Sequence, residues 1–191
     1  YDPNNPEDVS QAATLAAADR KVFGSSLPTY FGAITSNLKY KNFDFSMLFR
    51  YSGGNYIMNR TRADLLSNTF TNFGSEMLGR WQSPDKPGDG WTPKLWYGQT
   101  NFINRQNETS GRFVEKADFL KLQNLVLGYT FPKHLLSRVG INGLRVFVSG
   151  SELFMITDYT GVDPEMERED GYDYNGTPRQ RTFVFGINFS L

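Results

Sequence analysis

The chain holds 20 Asp and Glu, one His and no Cys in 191 residues, and acid–base or metal chemistry resting on carboxylates, imidazole or thiols would have to be built from them. Without a thiol there is no disulfide framework, no thiolate nucleophile and no Cys-ligated zinc or iron–sulfur cluster. A multi-His metal site cannot form from His134 alone, and a Ser-His-Asp triad would have that single candidate base. His134 follows Pro132-Lys133 in a short connection, where an exposed polar residue is expected. The carboxylates gather at Asp158, Asp163, Glu165, Glu167, Glu169, Asp170 and Asp173. Oxygen-rich stretches can hold Ca²⁺. Asp173-Tyr174-Asn175-Gly176 carries a calcium-loop fragment, with Asp170, Asp173 and Asn175 as candidate ligands. The matching downstream Glu is missing, and a solvated acidic loop accounts for the same composition. Glycoside hydrolysis needs two carboxyls at a fixed separation, which loop spacing does not supply. The expectation is a protein that is not an enzyme and has no cofactor.

A second set of candidates is aromatic. Trp81, Trp91, Trp96 and Tyr97 fall in one long stretch without hydrophobic period. Such rings can stack on a sugar or fill a partner's pocket. A loop of that length also needs a small core of its own, and both roles remain open.

The elements around these residues read as strands. Aromatics make up 15% of the chain, with 18 Gly, while the mean hydropathy is −0.48. Many aromatics and glycines in a polar chain fit an all-β protein with long loops. Residues 30–40 and 43–51 alternate apolar and polar on either side of Lys41-Asn42, which predicts a tight hairpin. Residues 118–131 form a third run, in which Leu120 and Leu122 fall out of phase with Leu125, Leu127 and Tyr129. A bulge near Asn124 would restore one face. Residues 144–156 and 183–191 give a fourth and a fifth run. Within 53–117 only a short helix around 72–81 suggests itself, and a second short helix is expected within 9–21. The formal net charge is zero, which disfavours nucleic acid and anionic membrane surfaces as partners. No run of 18 apolar residues is present to form a transmembrane helix.

The connections between these strands run short, long, short, long. An outer-membrane barrel has that alternation, with turns at one rim and loops at the other. Strands of 10–14 residues suffice to cross a bilayer at a tilt. One face would meet lipid through Phe43, Phe45, Met47, Phe49, Phe183, Phe185, Ile187 and Phe189, and the polar face would line a lumen. Tyr30, Tyr40, Tyr51, Tyr129 and Phe131 sit near strand ends, where an aromatic girdle belongs. The competing fold is a soluble carbohydrate-binding β-sandwich with the apolar face inward. Five strands cannot close a barrel, since the smallest has about eight, so the barrel reading expects further strands before Tyr1.

Several stretches, in order, resemble the C-terminal part of SusC/RagA-type TonB-dependent outer-membrane transporters of Bacteroidota. They are Gly24-Ser25-Ser26-Leu27-Pro28-Thr29-Tyr30-Phe31-Gly32, Tyr40-Lys41-Asn42-Phe43-Asp44-Phe45-Ser46, Leu120-Lys121-Leu122-Gln123-Asn124-Leu125-Val126-Leu127-Gly128-Tyr129, Leu144-Arg145-Val146-Phe147-Val148-Ser149-Gly150 and Tyr159-Thr160-Gly161-Val162-Asp163-Pro164-Glu165. The terminal run 183–191 is similar to the closing strand. Lys41-Asn42 departs from the Lys-Gly turn of the family, the last residue is Leu rather than Phe, and the first twenty residues match poorly. The resemblance implies that residues 1–191 are a single segment of an all-β transmembrane barrel, the last five or so antiparallel strands. Residues 53–117 and 157–178 would be extracellular loops, and 41–42 and 132–143 periplasmic turns. It also implies import of a glycan, peptide or similar nutrient across the outer membrane, a SusD-like surface lipoprotein as partner, and TonB acting through a plug and TonB box upstream. Gly186, Phe189 and Leu191 have the Gly-x-x-apolar-x-apolar spacing of a barrel-assembly signal.

Overall fold

A computed structural model describes residues 21–66, 72–95, 110–137, 140–166, 170–173 and 176–190. In chain order its strands are β1 (Tyr30–Tyr40), β2 (Phe43–Gly53), β3 (Tyr56–Asn59), β4 (Val114–Lys116), β5 (Phe119–Thr130), β6 (Gly143–Thr157), β7 (Tyr172–Asp173) and β8 (Thr182–Ser190). Two short helices, α1 (Arg60–Leu65) and α2 (Lys133–Leu136), follow β3 and β5. Five strands form one sheet in the order β1-β2-β5-β6-β8, with every neighbouring pair antiparallel. A small second sheet, β4-β3-β7, lies in the loops.

The hairpin forms where the alternation predicts it, with Tyr40 opposite Phe43. Lys41 takes the positive φ of 53° that a glycine adopts without strain. The phase change in β5 is a bulge. Leu48 pairs with Asn124 and Phe49 with Leu122, which leaves Gln123 as an extra residue. The neighbouring β6 answers with Glu152 and Leu153 between its pairs, and Glu152 sits at φ 55°. The added residue carries Leu120, Leu122, Leu125, Leu127 and Tyr129 onto one face.

Register then assigns every row. Leu38, Phe45, Leu127, Val148 and Phe185 lie side by side across the sheet. Tyr40, Phe43, Tyr129, Val146 and Ile187 form the adjacent apolar row. Cross-strand glycines receive aromatic rings. A Cβ on Gly32 would meet Tyr51, one on Gly53 would meet Tyr30, and one on Gly186 would stand 2.2 Å from the Phe147 ring. These glycines leave room for a ring on the neighbouring strand.

Apart from Leu122 on β5, the buried hydrophobic core lies away from this sheet. Met58, Ala63, Leu66, Met77 and Phe113 pack together in the loops, with Leu95, Val114 and Tyr172 against them. Ile57, Ala117 and Tyr159 make a second cluster. Meanwhile Ile34, Leu38, Phe43, Leu127, Phe154, Ile156, Phe183, Phe185, Ile187 and Phe189 are exposed on the apolar face of the large sheet. The described residues of 53–117, aperiodic in sequence, thus build a folded cap. Its pieces are β3, α1, β4 and the 3-10 turns Ser75–Gly79 and Gly111–Phe113. The expected helix near 72–81 is the first of those turns, whereas α1 and the two cap strands carry no readable period. Elements of three to six residues complete too few turns of any period to show one. The helix expected within 9–21 falls almost wholly outside the described residues.

Candidate functional site

The polar face of the sheet collects charge that register brings together from distant residues. Arg50 on β2 pairs with Lys121 on β5. Glu165 reaches them from the 3-10 turn Pro164–Met166 in the loop after β6. The Lys121 ammonium is 2% exposed, contacts Glu165 and lies 2.9 Å from Glu152 Oε2. Arg50 Nη1 is 3.2 Å from Glu165 Oε1. Arg179, just before β8, approaches Glu165 at 3.7 Å and Glu152 at 4.0 Å. Asp163 Oδ1 accepts the Glu165 backbone N–H at 2.8 Å, which fixes the turn that aims the carboxylate. A lysine this buried is tolerable only with its charge matched, and the bulge at Glu152 supplies the second carboxylate.

Beside this cluster lies a cleft of about 460 Å³, lined by Leu27, Phe31, Phe119, Arg50, Asn55 and Arg179 among others. Phe31, Ser52, Phe119 and Thr157 share one row of the polar face, so the cleft opens under the loop cap on the wet side of the sheet. Rings and paired guanidiniums around one cavity suit a ligand with apolar and hydrogen-bonding surfaces.

The cap has its own network. Arg62 donates to Glu76 through two nitrogens at 2.8 and 2.9 Å and to Glu115 at 3.0 Å, and Arg112 adds a 2.9 Å bond to Glu76. Hydrogen bonding by Arg62 is the main reason the Glu76 carboxyl is held below its ordinary range, and Arg62 is raised in return. Buried Tyr159 donates to Asp173 Oδ2 at 2.7 Å, and Thr61 donates to Asp173 Oδ1 at 3.1 Å. Desolvation first, and then the Asp173 carboxylate, push the Tyr159 phenol upward. These bonds tie the loop after β6 to α1.

The sequence candidates scatter. Asp173 is turned inward onto Tyr159 and Thr61, Asp170 Oδ1 accepts the Tyr172 N–H at 3.3 Å, and Asn175 lies outside the described residues. Among the described residues no group of three His, Cys, Asp or Glu side chains is placed to hold a metal. Trp81 is half-buried with the Lys94 ammonium 5.5 Å from its ring centroid, while Trp91 is exposed. Trp96, Tyr97 and Leu191 lie outside the described residues. Asp89 holds the Trp91 segment by accepting from the backbone N–H and hydroxyl of Thr92 and then the backbone N–H of Trp91, which lowers its carboxyl. Gly186 lies under the Phe147 ring, and Phe189 is exposed opposite Leu144 on the apolar face. His134 is exposed on α2. The cluster of Arg50, Lys121, Glu152, Glu165 and Arg179 was not foreseen. Its one sequence signal is a charged residue at a polar-face position in the middle of a strand, as at Arg50 and Lys121.

An antiparallel sheet with its apolar side chains exposed on one face, ion pairs on the other and a folded cap at one rim is the wall of a membrane-type β-barrel. No protein-family model matches the chain. It is 31% identical over 194 residues to TonB-dependent receptor P3 of Formosa agariphila, covering 96% of this chain and 18% of that receptor. It is 29% identical to TonB-dependent receptor SusC of Bacteroides thetaiotaomicron, covering 93% of this chain and 17% of SusC. A structure of the RagAB peptide importer in its open-open state superposes with TM-score 0.74 at 26% identity, over 93% of this chain and 19% of that one. The closed-closed state gives TM-score 0.76, also at 26% identity, over 92% of this chain and 19% of that one. The chain is thus similar along nearly all of its length to a segment of SusC/RagA-type TonB-dependent receptors, and it spans under a fifth of the length of the curated relatives it matches.

Proposed function

We propose that this chain forms five wall strands and part of the outer cap of an outer-membrane barrel that imports a nutrient such as a glycan or peptide. The observation that carries this is the inverted distribution of side chains. The core sits in the cap, while the large sheet leaves Phe43, Phe183, Phe185, Ile187 and Phe189 uncovered on one face and pairs charges on the other. A soluble sandwich would cover that apolar face with a second sheet, and lipid covers it in a barrel. The edges of β1 and β8 have no partner strand among the described residues, and a membrane requires both to be continued by further strands. On this reading the cap faces outside with a SusD-like surface lipoprotein as partner, and 41–42 and 132–143 face the periplasm, where TonB acts. The family relationship supports both partners. The cleft beside Arg50 and Arg179 then lies on the path of the imported molecule. Trp91 offers it, or the lipoprotein, an exposed aromatic face, and Gly186, Phe189 and Leu191 form the assembly signal.

The chain lacks Cys, so single cysteines placed in it report orientation in a receptor of natural length whose cysteines elsewhere have been replaced. Val184→Cys should react with a membrane-impermeant maleimide in outer membranes, and Phe185→Cys should be shielded. The reverse order would overturn the barrel reading. Import is tested separately with a receptor-null strain. It should lose uptake of one glycan or peptide class and regain it on complementation. Unchanged uptake across panels of both classes would overturn the transport role.

A further inference from the structure

The charge cluster on the polar face is sorted by depth. Three cations, Arg50, Lys121 and Arg179, share two carboxylates, Glu152 and Glu165. Glu165 and Glu152 are 8% and 17% exposed and Lys121 is 2% exposed, whereas Arg50 and Arg179 are 39% and 46% exposed. The acids and the ammonium are turned inward, and two guanidiniums form the surface that the cluster presents. Among the described residues neither exhausts its donors. Arg50 meets Glu165 through Nη1 at 3.2 Å, and Arg179 stands 3.7 Å from Glu165 and 4.0 Å from Glu152, beyond hydrogen-bond length. A guanidinium carries five N–H donors in a planar fork, so both keep donors for a further anion.

The cleft of about 460 Å³ begins at this surface, with Arg50, Glu165 and Arg179 in its lining. Leu27, Phe31 and Phe119 give it apolar surface. Leu27 and Phe31 are exposed, and register places Phe31 and Phe119 on the wet face of the sheet. Large apolar side chains left open together on a wet face mark a binding surface. The uncharged polar side chains of the cleft are Ser26, Ser52 and the buried Asn55. These serve few of the hydroxyls that surround a sugar ring, and a hydroxyl buried without a partner is costly. A carboxylate carried beside an apolar side chain matches the lining instead, and the last residue of a peptide has that construction.

We propose that this cleft binds the free C-terminal carboxylate of an oligopeptide ending in an apolar residue. Arg50 and Arg179 are its ligands, Leu27, Phe31 and Phe119 receive the last side chain, and Glu165 is an internal carboxylate that competes for the two guanidiniums. The proposal rests on the reading that the cleft lies on the path of an imported molecule, and it names the chemistry recognised there.

The test uses the receptor at natural length, purified in detergent, and a tetrapeptide of three alanines and a C-terminal leucine with a fluorophore at its N-terminus. The peptide is supplied as the free acid and as the C-terminal amide, and anisotropy reads binding. The acid should bind roughly tenfold more tightly than the amide. Arg50→Gln and Arg179→Gln should each weaken the acid by a similar factor and leave the amide unchanged. Lys at either position should recover part of the loss, since it keeps the charge without the fork. Glu165→Gln removes the competitor and should tighten the acid, a gain that a purely structural role for Glu165 would not produce. Heat-modifiable migration shows that each variant remains a folded barrel. Equal binding of acid and amide, or binding of neither, would overturn the site. So would unchanged acid binding when both arginines are replaced by Gln, or preferential binding of an oligogalacturonate, whose carboxylates are carried on sugar rings. Any of these results would leave the transport reading standing if the complemented strain still takes up a glycan or a peptide, and a shielded Val184→Cys would refute the barrel itself.

Discussion

Replacing Lys121 by Met tests whether the charge cluster holds the loop after β6 against the wall. The substitution removes the ammonium while keeping an unbranched side chain of similar length. In the wild type Lys121 is 2% exposed and serves both Glu152 and Glu165. Breaking a fully buried pair by removing one partner costs about 3–5 kcal/mol. Here the loss is partly offset, because Glu165 keeps Arg50 at 3.2 Å and Arg179 at 3.7 Å. Among the described residues Glu152 keeps only Arg179, at 4.0 Å. Both arginines are more than a third exposed and act through partly solvated contacts, so the expected net cost is roughly 2–3 kcal/mol. That corresponds to roughly 30-fold to 160-fold faster hydrogen exchange of the Glu165 and Met166 amides in the 3-10 turn at Pro164–Met166, if that turn opens locally. Exchange measured by mass spectrometry on the receptor in detergent or nanodiscs reads this directly. Lys121→Met with Glu165→Leu should recover much of the protection, since it removes the stranded carboxylate together with the ammonium, and the double-mutant cycle should show strong coupling. Unchanged exchange in Lys121→Met, or strictly additive effects in the cycle, would refute the claim that this cluster fixes the loop.

Other expectations concern the two faces, the cap and the last strand. Phe185→Arg, at an exposed position of the apolar face, should cost about 2–4 kcal/mol at mid-bilayer depth and reduce heat-modifiable barrel in outer-membrane fractions, with Val184→Arg milder. The hydrogen bonds from Arg62 hold the Glu76 carboxyl below its ordinary value of 4.5. Its stabilisation of the cap is therefore complete above about that pH and is lost as pH falls through the lower folded value. Protease sensitivity within 53–117 should rise on acidification, and Glu76→Gln should be sensitive already at neutral pH. Gly186→Ala drives a Cβ into the Phe147 ring and should cost about 1–3 kcal/mol. If packing is the cause, Phe147→Ala restores folded barrel to that variant, and if Gly186 acts only as an assembly signal it does not. Deleting residues 189–191 should lower folded receptor in the outer membrane, and undiminished folded protein would remove the signal role.

The strands of the large sheet were legible because each is long enough to display a period of two. β1, β2 and β8 fall where the alternation places them. Even the irregularity in β5 was readable, since Leu122 and Leu125 can share a face only if one residue between them is extra. The cap was not legible. β3 has four residues, β4 three and α1 six, and their partners lie far along the chain, as Arg62 and Glu115 do at 53 residues of separation. The candidate site failed to appear for the same reason: Glu165, Lys121 and Arg50 carry no mutual spacing that marks them.

What the sequence determined by itself is which side chains share a face, because backbone geometry alternates them regardless of surroundings. Whether that apolar face turns inward or outward was beyond it, since an alternating pattern is identical in a sandwich and a barrel. Tertiary structure decided it by placing the core in the cap and leaving the phenylalanines of the wall uncovered. Charge followed the same division. Composition fixed the total at zero, but register and turn geometry alone put Lys39, Lys41, Lys133 and the Arg145–Asp44 pair around one cleft and Arg50, Lys121, Glu152 and Glu165 around another place on the sheet. A sum over residues carries no distances, and electrostatic attraction depends on distance.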